Sequence, residues 1–220
     1  MNFKILKELS VIKTLRFNWR YFKWNGLKLP VFVSKNFLLK AIEGNVEISE
    51  YKPGLIKLGF GSVGIFDKRY DKGIWENFGS VIFEGRSDIG LGSKVSVASK
   101  GKVYFGDRLS ITAKSEIVCN KEIIFGNNVL ISWDCLFMDT DWHDIYDRSG
   151  NITNSDEKII IGDHVWIGCR STVLKGVMIP ANNVVAANST LSKEFKVTNS
   201  IIGGVNKVLK DNIHWGTFSK

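Results

Sequence analysis

Apolar residues recur at every sixth position in the second half of the chain. Counting in sixes from Ile161 reaches an aliphatic side chain at each step: Ile161, Ile167, Val173, Ile179, Val185 and Leu191. An α-helix repeats its apolar positions about every 3.6 residues and a strand about every 2, so neither element explains the pattern. A constant period over this length indicates an internal structural repeat.

The repeat predicts an all-β fold, a parallel β-helix in which each unit of six residues supplies one short strand. The aliphatic residue of each unit would point into a prism, and three units would complete one coil. The fifth position also faces inwards, and small side chains fill it in most units: Val165, Ser171, Val177 and Ser189. Asn183 and Phe195 are the exceptions. Two strands of a β-sandwich are the alternative, but they would not hold a period of six.

The period continues upstream, with a shift into a second phase from Phe105 to Ile123 and a return to the first phase at Phe125. The apolar positions that follow it are Phe83, Ile89, Val95, Phe105, Ile111, Ile117, Ile123, Phe125, Ile131 and Phe137. The stretch IWENFG, with Trp75 and Phe78, does not follow it, and we interpret that stretch as an excursion from the coils. We expect the β-helix to cover residues 41–195, with a loop insertion at 138–160 and a C-terminal tail at 196–220.

The first forty residues have a different character. Residues 2–17 carry apolar side chains at helical spacing among lysines and arginines, which predicts a basic amphipathic helix: Ile5, Leu9, Ile12 and Leu15. Basic residues then alternate with aromatic ones, including Trp19 and Trp24. Residues 1–40 are therefore expected to cap the end of the prism, as solenoids require. Contact between residues 1–30 and an anionic membrane face is a second interpretation, compatible with the first.

The net charge of +8 indicates an anionic partner. No nucleic-acid-binding motif accompanies it, so we expect no nucleic-acid partner, whereas a phosphorylated small molecule or an anionic membrane would suit the charge. The three cysteines Cys119, Cys135 and Cys169 lack metal-ligand spacing and are expected to be reduced thiols. No apolar run is long enough for a membrane span and no signal peptide is recognised. We therefore expect a cytoplasmic protein, at the inner face of the membrane if the N-terminal segment binds there.

The segment 138–160 interrupts the six-residue pattern. It is rich in Asp and Asn and contains Trp142 and His143. Loops that leave a rigid scaffold often carry function, and a long excursion within a periodic fold is typical of a functional loop. Nearby carboxylates are available to orient the His143 ring: Asp139, Asp141, Asp144 and Asp147. Spacing alone leaves open a catalytic loop and a solvated acidic loop with an incidental histidine.

The hexads, the phrase MDTDWHDIYDRSGN and the phrase IGDHVWIGCRSTVLKGVMIP together resemble the left-handed β-helix (hexapeptide-repeat) acyltransferases. The similarity is greatest to acetyltransferases that modify bacterial capsule and lipopolysaccharide, relatives of the maltose and galactoside O-acetyltransferases. It covers roughly residues 83–195, and the loop motif followed by VWIG is its specific part. The resemblance implies an acetyl-CoA-dependent O-acetyltransferase that acts on a sugar hydroxyl of a surface-polysaccharide or glycolipid precursor. It also implies a homotrimer with active sites between subunits.

The resemblance also assigns roles to residues. His143 would be the general base, with Asp141 and Asp144 beside it, and transfer would be direct, with no metal. A backbone N–H near Gly168 or Cys169 would stabilise the oxyanion. The residues implied to bind acetyl-CoA are Trp166, Gly168, Cys169, Ala187, Ser192, Lys193, Lys207 and Lys210. The residues expected to contact the sugar are Trp133, Asp134, Asp139 and Trp142. Two departures from the family pattern affect the CoA contacts, GGVNK at 203–207 and Ala-Asn-Ser at 187–189.

Other functions fit parts of the sequence. N-acetyl transfer to an amino sugar would use the same groups. A non-catalytic glycan-binding β-solenoid would explain the hexads and the aromatic residues but would leave the His143 loop unused. A metalloenzyme resembling the γ-class carbonic anhydrases would need three histidines on adjacent coil faces. The spacing of His143, His164 and His214 does not suit that arrangement.

Overall fold

The computed structural model describes residues 3–61 and 63–216. Asn2 of the predicted helix and residues 217–220 of the predicted tail lie outside them. Within the described residues the chain forms a left-handed parallel β-helix, which confirms the fold that the six-residue period predicts. Its strands lie in three sheets, and each coil passes through sheets 1, 2 and 3 in turn.

The strands of each sheet follow in coil order. Sheet 1 consists of β1 (Val31–Val33), β4 (Ile56–Phe60), β7 (Ser87–Leu91), β10 (Leu109–Ala113), β13 (Leu130–Trp133), β16 (Trp166–Ile167), β19 (Val184–Val185), β21 (Ile201–Gly203) and β22 (Lys207–Lys210). Sheet 2 consists of β2 (Phe37–Ile42), β5 (Gly73–Asn77), β8 (Lys94–Val97), β11 (Glu116–Cys119), β14 (Leu136–Met138), β17 (Thr172–Leu174) and β20 (Thr190–Leu191). Sheet 3 consists of β3 (Asn45–Ile48), β6 (Ser80–Phe83), β9 (Lys102–Phe105), β12 (Glu122–Phe125), β15 (Ile159–Ile161) and β18 (Met178–Ile179).

The three edges of the prism position the functional residues. We call them edge 1/2, edge 2/3 and edge 3/1 after the sheets that meet there. Neighbouring strands are parallel, except that β22 runs antiparallel to β21. Ile161 pairs with Ile179, three units of six residues later. In the regular coils, residues 18 apart in sequence therefore stack on the same sheet or edge.

The corners use left-handed backbone conformations, which turn the chain sharply. On edge 1/2 successive coils place such a residue at the same point: Lys114 (φ 48°), Asp134 (φ 55°), Arg170 (φ 59°) and Asn188 (φ 59°). Asparagine tolerates this conformation better than most residues because its short polar side chain bonds locally. The repeated corner keeps the strands of successive coils in register.

The interior matches the prediction from the hexads. Each residue of the series from Ile161 to Leu191 is at most 1% exposed. Asn183, an exception to the small-residue rule, is fully buried and satisfied: its side chain donates to the carbonyls of Pro180 and Val197 and accepts from the Ser200 amide. Its amide therefore bridges three neighbouring backbone segments at the corner.

The interpretation of Trp75 as part of an excursion is wrong. Trp75 lies on β5, is fully buried and belongs to a column of aromatic rings inside the prism. Successive rings of this column have centroids 4.9–6.4 Å apart: Trp75, Phe83, Phe105, Phe125 and Phe137. Gly73 and Asn77 take the other inward positions of β5, so the strand lacks the aliphatic repeat that marks later coils.

Two α-helices and a 3₁₀-helix precede the prism, which begins at Val31 rather than at residue 41. They are α1 (Phe3–Glu8), α2 (Val11–Phe22) and the 3₁₀-helix Lys23–Lys28. The predicted single helix is thus broken at Ser10, the N-cap of α2, whose hydroxyl accepts a hydrogen bond from the Lys13 amide at 3.4 Å.

The apolar positions that predicted this helix do not form the buried face of α2. Ile12 and Leu15 are exposed, and the buried face consists of Thr14, Phe17, Asn18 and Phe22. The two polar residues are needed because β1 is the open edge of sheet 1. Asn18 exchanges hydrogen bonds with the carbonyl and amide of Val31, and the Thr14 hydroxyl accepts from the Val33 amide at 3.0 Å. The helix thereby covers backbone groups that would otherwise lack partners.

Candidate active site

The loop between β14 and β15 leaves the prism at edge 2/3, and Asp139 anchors its base. The Asp139 carboxylate is fully buried. It accepts hydrogen bonds from the backbone amides of Asn120, Lys121 and Glu122 at 2.7–2.9 Å. The prediction that Asp139 contacts the sugar is therefore wrong, because its oxygens are used to hold the loop to the preceding coil.

His143 is exposed on this loop, and no residue that the structure describes hydrogen-bonds to its ring. The expected pairing with Asp141 or Asp144 is not formed. Asp141 instead contacts Lys175, and Asp144 accepts a hydrogen bond from the Tyr146 hydroxyl at 3.1 Å. Both ring nitrogens of His143 are thus available to a molecule that enters from outside the chain.

Asn154 holds the backbone at His143 and at the residues that follow it. Its side-chain nitrogen donates to the His143 carbonyl at 2.8 Å, and its side-chain oxygen accepts from the Ile145 amide at 2.7 Å. The same nitrogen donates to Asp141 at 2.9 Å. Sequence reasoning missed Asn154, and nothing in its spacing marks it.

Lys175 ties the loop to the coil above. Its ammonium lies 2.5 Å from an Asp141 oxygen and donates to the Asn154 carbonyl at 2.5 Å. This ammonium, with a smaller contribution from the Asn154 amide, lowers the pKa of Asp141 below its ordinary value. Lys175 follows β17 on edge 2/3, so the loop is held from the coils on both sides. It too was missed by sequence reasoning.

The backbone beside His143 is constrained as well. Trp142 has φ 61°, a left-handed conformation that costs a non-glycine residue about 1–3 kcal/mol. Its amide donates to the hydroxyl of the buried Thr140 at 3.1 Å. The Trp142 ring is 56% exposed and therefore free to pack against a ligand.

A cavity of about 250 Å³ opens around His143. Polar and acidic groups line most of it, together with the Trp142 ring: Asn120, Asp141, Asp144, Asn154 and Asp156. Carboxylates, amides and an aromatic face are the groups that bind a polyhydroxylated ring through hydrogen bonds and packing.

A second group of predicted residues lies on edge 1/2, across sheet 2 from the loop. It contains Asp134, Gly168, Cys169 and Ala187, and Trp133 ends the adjoining strand. Cys169 and Ala187 are 18 residues apart and stack on successive coils. Edge 1/2 and edge 2/3 are the two sides of sheet 2, so one chain does not bring these residues next to His143.

The backbone amides of Gly168 and Cys169, the two candidate donors to the oxyanion, differ in whether they already donate a hydrogen bond within the chain. The Gly168 amide already donates to the Val185 carbonyl at 2.8 Å, so that candidate is wrong. A Cβ at this position would lie 2.6 Å from the Ala187 nitrogen, which explains the glycine by the close stacking of the coils. The Cys169 amide has no acceptor within residues 3–61 and 63–216, and it remains as a donor on edge 1/2.

Trp166 lies on the outer face of sheet 1, where the C-terminal segment folds back over it. Its indole N–H donates to the Ser132 hydroxyl at 3.1 Å, and its ring centroid is 6.1 Å from that of Trp215. Trp215 stacks on His164 with centroids 4.2 Å apart and donates to the His164 carbonyl at 2.9 Å. His214 is also close, with its ring 6.2 Å from that of His164.

The remaining predicted residues fall into two places. Ser192 and Lys193 lie on edge 2/3, and Ser192 is held by two hydrogen bonds to the Asn206 side chain. Lys207 and Lys210 lie on β22 at the end of sheet 1; both are exposed, with no ion-pair partner among the described residues. Cys169 and Ala187 therefore lie on a different edge of the chain from Ser192. Residues on the same edge are 18 positions apart in the regular coils, and Ser192 does not have that spacing from Cys169 or Ala187. The sequence could therefore have shown that Ser192 lies on another edge.

A second cavity, of about 370 Å³, lies between α1 and sheet 1 in the early coils. Its walls include Glu8, Lys57 and Asp88, and it contains none of the predicted site residues. Lys57 and Asp88 are neighbours on β4 and β7 and form an ion pair at 2.8 Å, so these two charged groups already satisfy one another.

The cysteines are free thiols. Burial raises the pKa of the Cys135 thiol to about 11, and burial together with the Asp139 carboxylate raises the pKa of Cys119 further. No cluster of three or more His, Cys, Asp or Glu residues in the described ranges is arranged to hold a metal ion. No helix in those ranges is both long enough and apolar enough to cross a bilayer.

Comparison with known proteins gives sequence and structural relatives. The chain is 32% identical over 127 residues to the polysialic acid O-acetyltransferase of Escherichia coli O1:K1 / APEC, a match that covers 56% of this chain and 41% of that protein. It is 26% identical over 147 residues to the putative lipopolysaccharide biosynthesis O-acetyl transferase WbbJ of Escherichia coli K12, covering 63% and 75%. The chain thus spans less than half of the first relative and three quarters of the second. No family model matches the chain.

A solved structure shares the fold. The crystal structure of the polySia specific acetyltransferase NeuO superimposes with a TM-score of 0.61 and 22% identity, over 86% of this chain and 76% of that one. At that identity the likeness concerns architecture. The coils identify the chain as a left-handed β-helix, and its sequence is similar to those of the two O-acetyltransferases named above.

Proposed function

We propose that this protein is an acetyl-CoA-dependent O-acetyltransferase of the cytoplasm whose acceptor is a hydroxyl of a sugar in a surface-polysaccharide or glycolipid precursor. The observation that carries the proposal is His143: its ring has no partner among the described residues, while Asn154 holds its backbone through the His143 carbonyl and the Ile145 amide. A general base needs a fixed position and a free nitrogen, and the loop provides both. The named relatives are O-acetyltransferases.

In this mechanism His143 accepts the proton of the sugar hydroxyl as its oxygen forms a bond to the thioester carbon. The carbon–sulfur bond then breaks, and His143 returns the proton to the departing sulfur. The thioester is already activated, so the steps assigned to this chain are proton transfer and stabilisation of the oxyanion. Such proton transfer contributes typically about 10²–10⁴ in rate. The Cys169 amide is the proposed oxyanion donor, because it is an unused N–H on the opposing edge.

We further propose that the active site forms between subunits of a homotrimer. The loop with His143 and Trp142 lies on edge 2/3, whereas Cys169, Ala187 and Asp134 lie on edge 1/2. A threefold assembly pairs two different surfaces of neighbouring subunits, and in the proposed trimer edge 2/3 of one subunit meets edge 1/2 of the next, so each site would use one edge from each. Sugar contacts would then come from Trp142 on one side and from Trp133 and Asp134 on the other.

The proposed site has groups suited to acetyl-CoA. Trp166 and Ala187 would border the pantetheine arm, and the exposed ammonium groups of Lys207 and Lys210 would meet its phosphates. Lys193 and Ser192 lie on edge 2/3 and would approach the same molecule from the neighbouring subunit. This use of lysines accounts for part of the positive charge without nucleic acid.

The test is acetyl transfer to a panel of sugars, with thiol release measured and the product identified by mass spectrometry. We expect an O-acetyl ester from hydroxyl acceptors and a loss of about 10²–10⁴ in kcat for His143→Gln. His214→Gln is the matched control, because it changes an exposed histidine outside the proposed machinery. A folded His143→Gln variant with normal turnover would refute the mechanism. Amide products from amino sugars alone would assign N-acetylation, and sugar binding without transfer would assign a glycan-binding solenoid.

A further inference from the structure

The outer surface of the N-terminal cap carries apolar side chains that the prism does not cover. On α2, Ile12, Leu15 and Trp19 follow one another at helical spacing and lie outside the buried face. The 3₁₀-helix adds Trp24 and Leu27, and the rings of Trp19 and Trp24 meet edge to face at 5.5 Å. We call these five residues the cap patch. Their exposed fractions range from 49% for Leu15 and Trp19 to 80% for Ile12.

Basic side chains surround the cap patch. Arg16, Lys23 and Lys28 are exposed beside it. Glu8 is the acidic residue of the first forty positions, and it forms an ion pair with Lys68. The charged side chains that flank the patch in sequence are therefore cationic, which complements an anionic surface.

The cap patch is rigidly mounted on the end of the prism. The opposite face of α2 buries Phe17, whose ring centroid is 5.4 Å from that of Trp75, the first ring of the interior column. Asn18 and Thr14 fix the same face to β1. Because the patch faces away from the first coil, neighbouring prisms that meet along their edges would leave it open.

We propose that the cap patch binds the interface of an anionic membrane. Exposed tryptophans suit the headgroup region, an apolar helix face enters the acyl boundary, and nearby lysines and arginines bind acidic headgroups. In a trimer, three patches would lie at the same end of the assembly and bind together, which increases avidity. The inference does not depend on the acetyl-transfer proposal, since it concerns a different end of the molecule.

The experiment is flotation of the full chain with vesicles of phosphatidylcholine alone and of phosphatidylcholine with phosphatidylglycerol. We expect binding to the anionic vesicles, weakened by added salt, and little binding to the neutral ones. Arg16→Glu/Lys23→Glu should reduce the binding at least about tenfold, since one basic residue at the surface is worth about fivefold. Trp19→Ala/Trp24→Ala should also reduce it about tenfold, because it removes the two aromatic side chains that suit the headgroup region. All four positions are exposed, so the variants are expected to fold.

Two matched variants serve as controls. Tyr70→Ala/Val205→Ala removes two exposed apolar side chains outside the patch, and Lys100→Glu/Lys196→Glu makes the same change of charge elsewhere. Both should retain vesicle binding to within about threefold, because neither changes the patch. Absence of binding to anionic vesicles, equal binding to neutral vesicles, or equal losses in the controls would each overturn the proposal. A further outcome would also overturn it: the parent chain does not bind vesicles, and Trp19→Ala/Trp24→Ala changes the oligomeric mass. The patch would then be a contact between copies of the chain.

Discussion

The side-chain amide of Asn154 donates a hydrogen bond to the carbonyl of His143 at 2.8 Å, and its oxygen accepts from the Ile145 amide two residues further on. One side chain thereby fixes the backbone from the carbonyl of the histidine to Ile145. Lys175, from the next coil, holds the Asn154 carbonyl in turn. The position of the His143 ring thus depends on a network that begins in the prism and ends in the loop.

Asn154→Ala should lower kcat about 10- to 100-fold, because displacement of a catalytic group by about 1 Å has effects of that size. The KM for acetyl-CoA should change little, since the residues proposed to bind it lie elsewhere. Asn151→Ala is the matched control, as Asn151 bonds within the turn at Asp147 and does not contact His143. Steady-state kinetics measure both; an equal loss in the two variants would show that the loop is merely destabilised.

Lys175→Met should raise the pKa of Asp141 back towards its ordinary value of 3.8, because the ammonium is the main cause of the lowered pKa. In the parent chain the depressed pKa means that the contact stabilises the loop above pH 3.8 and is lost as the pH falls through the lowered value. Titration of the Asp141 carboxyl carbon by NMR measures the change. Lys158→Met, at an exposed lysine outside the network, should leave the Asp141 midpoint where it is.

Cys169→Pro should lower kcat about 10²–10³-fold, since it removes the proposed oxyanion donor. The backbone tolerates proline here: Arg170 follows with φ 59°, as in a type II turn, whose first central position accepts proline. Ala181→Pro is the matched control, because Ala181 occupies the same turn position on edge 3/1, before Asn182 with φ 64°. Circular dichroism confirms folding of both. Normal turnover by folded Cys169→Pro would rule out this amide as the donor.

Mixing His143→Gln and Cys169→Pro subunits should restore activity if each site uses edge 2/3 of one subunit and edge 1/2 of the next. Random threefold assembly at equal amounts then yields about one quarter of the parent activity, because each mixed trimer has one intact site. The two variants are unfolded together, refolded as a mixture and assayed. Activity no greater than the mean of the separate variants would indicate sites within single subunits, and sedimentation of a monomer would contradict the shared site directly.

Much of the architecture could be predicted because its signal is local. Each coil contacts mainly its neighbours, so the inward positions repeat at a constant interval, and Ile161 to Leu191 are buried as expected. The early coils were harder to recognise. Gly73 and Asn77 fill inward positions of β5, and Trp75 therefore looked like part of an excursion. The buried face of α2 could not be predicted from helical periodicity. Thr14 and Asn18 are buried because they hydrogen-bond to the open edge of β1, and a pattern of apolar residues does not indicate such contacts.

The sequence by itself determined the fold, the register of the regular coils and the place of the loop that carries His143. Only the tertiary structure decided how that loop is held and which edge each predicted residue occupies. Lys175 reaches Asp141 across 34 positions and Trp215 meets His164 across 51, distances unrelated to the six-residue period. A repeat specifies contacts between equivalent positions of adjacent coils. Contacts made by an insertion or a terminal segment depend on where the folded prism places that segment, and the six-residue pattern does not predict this placement.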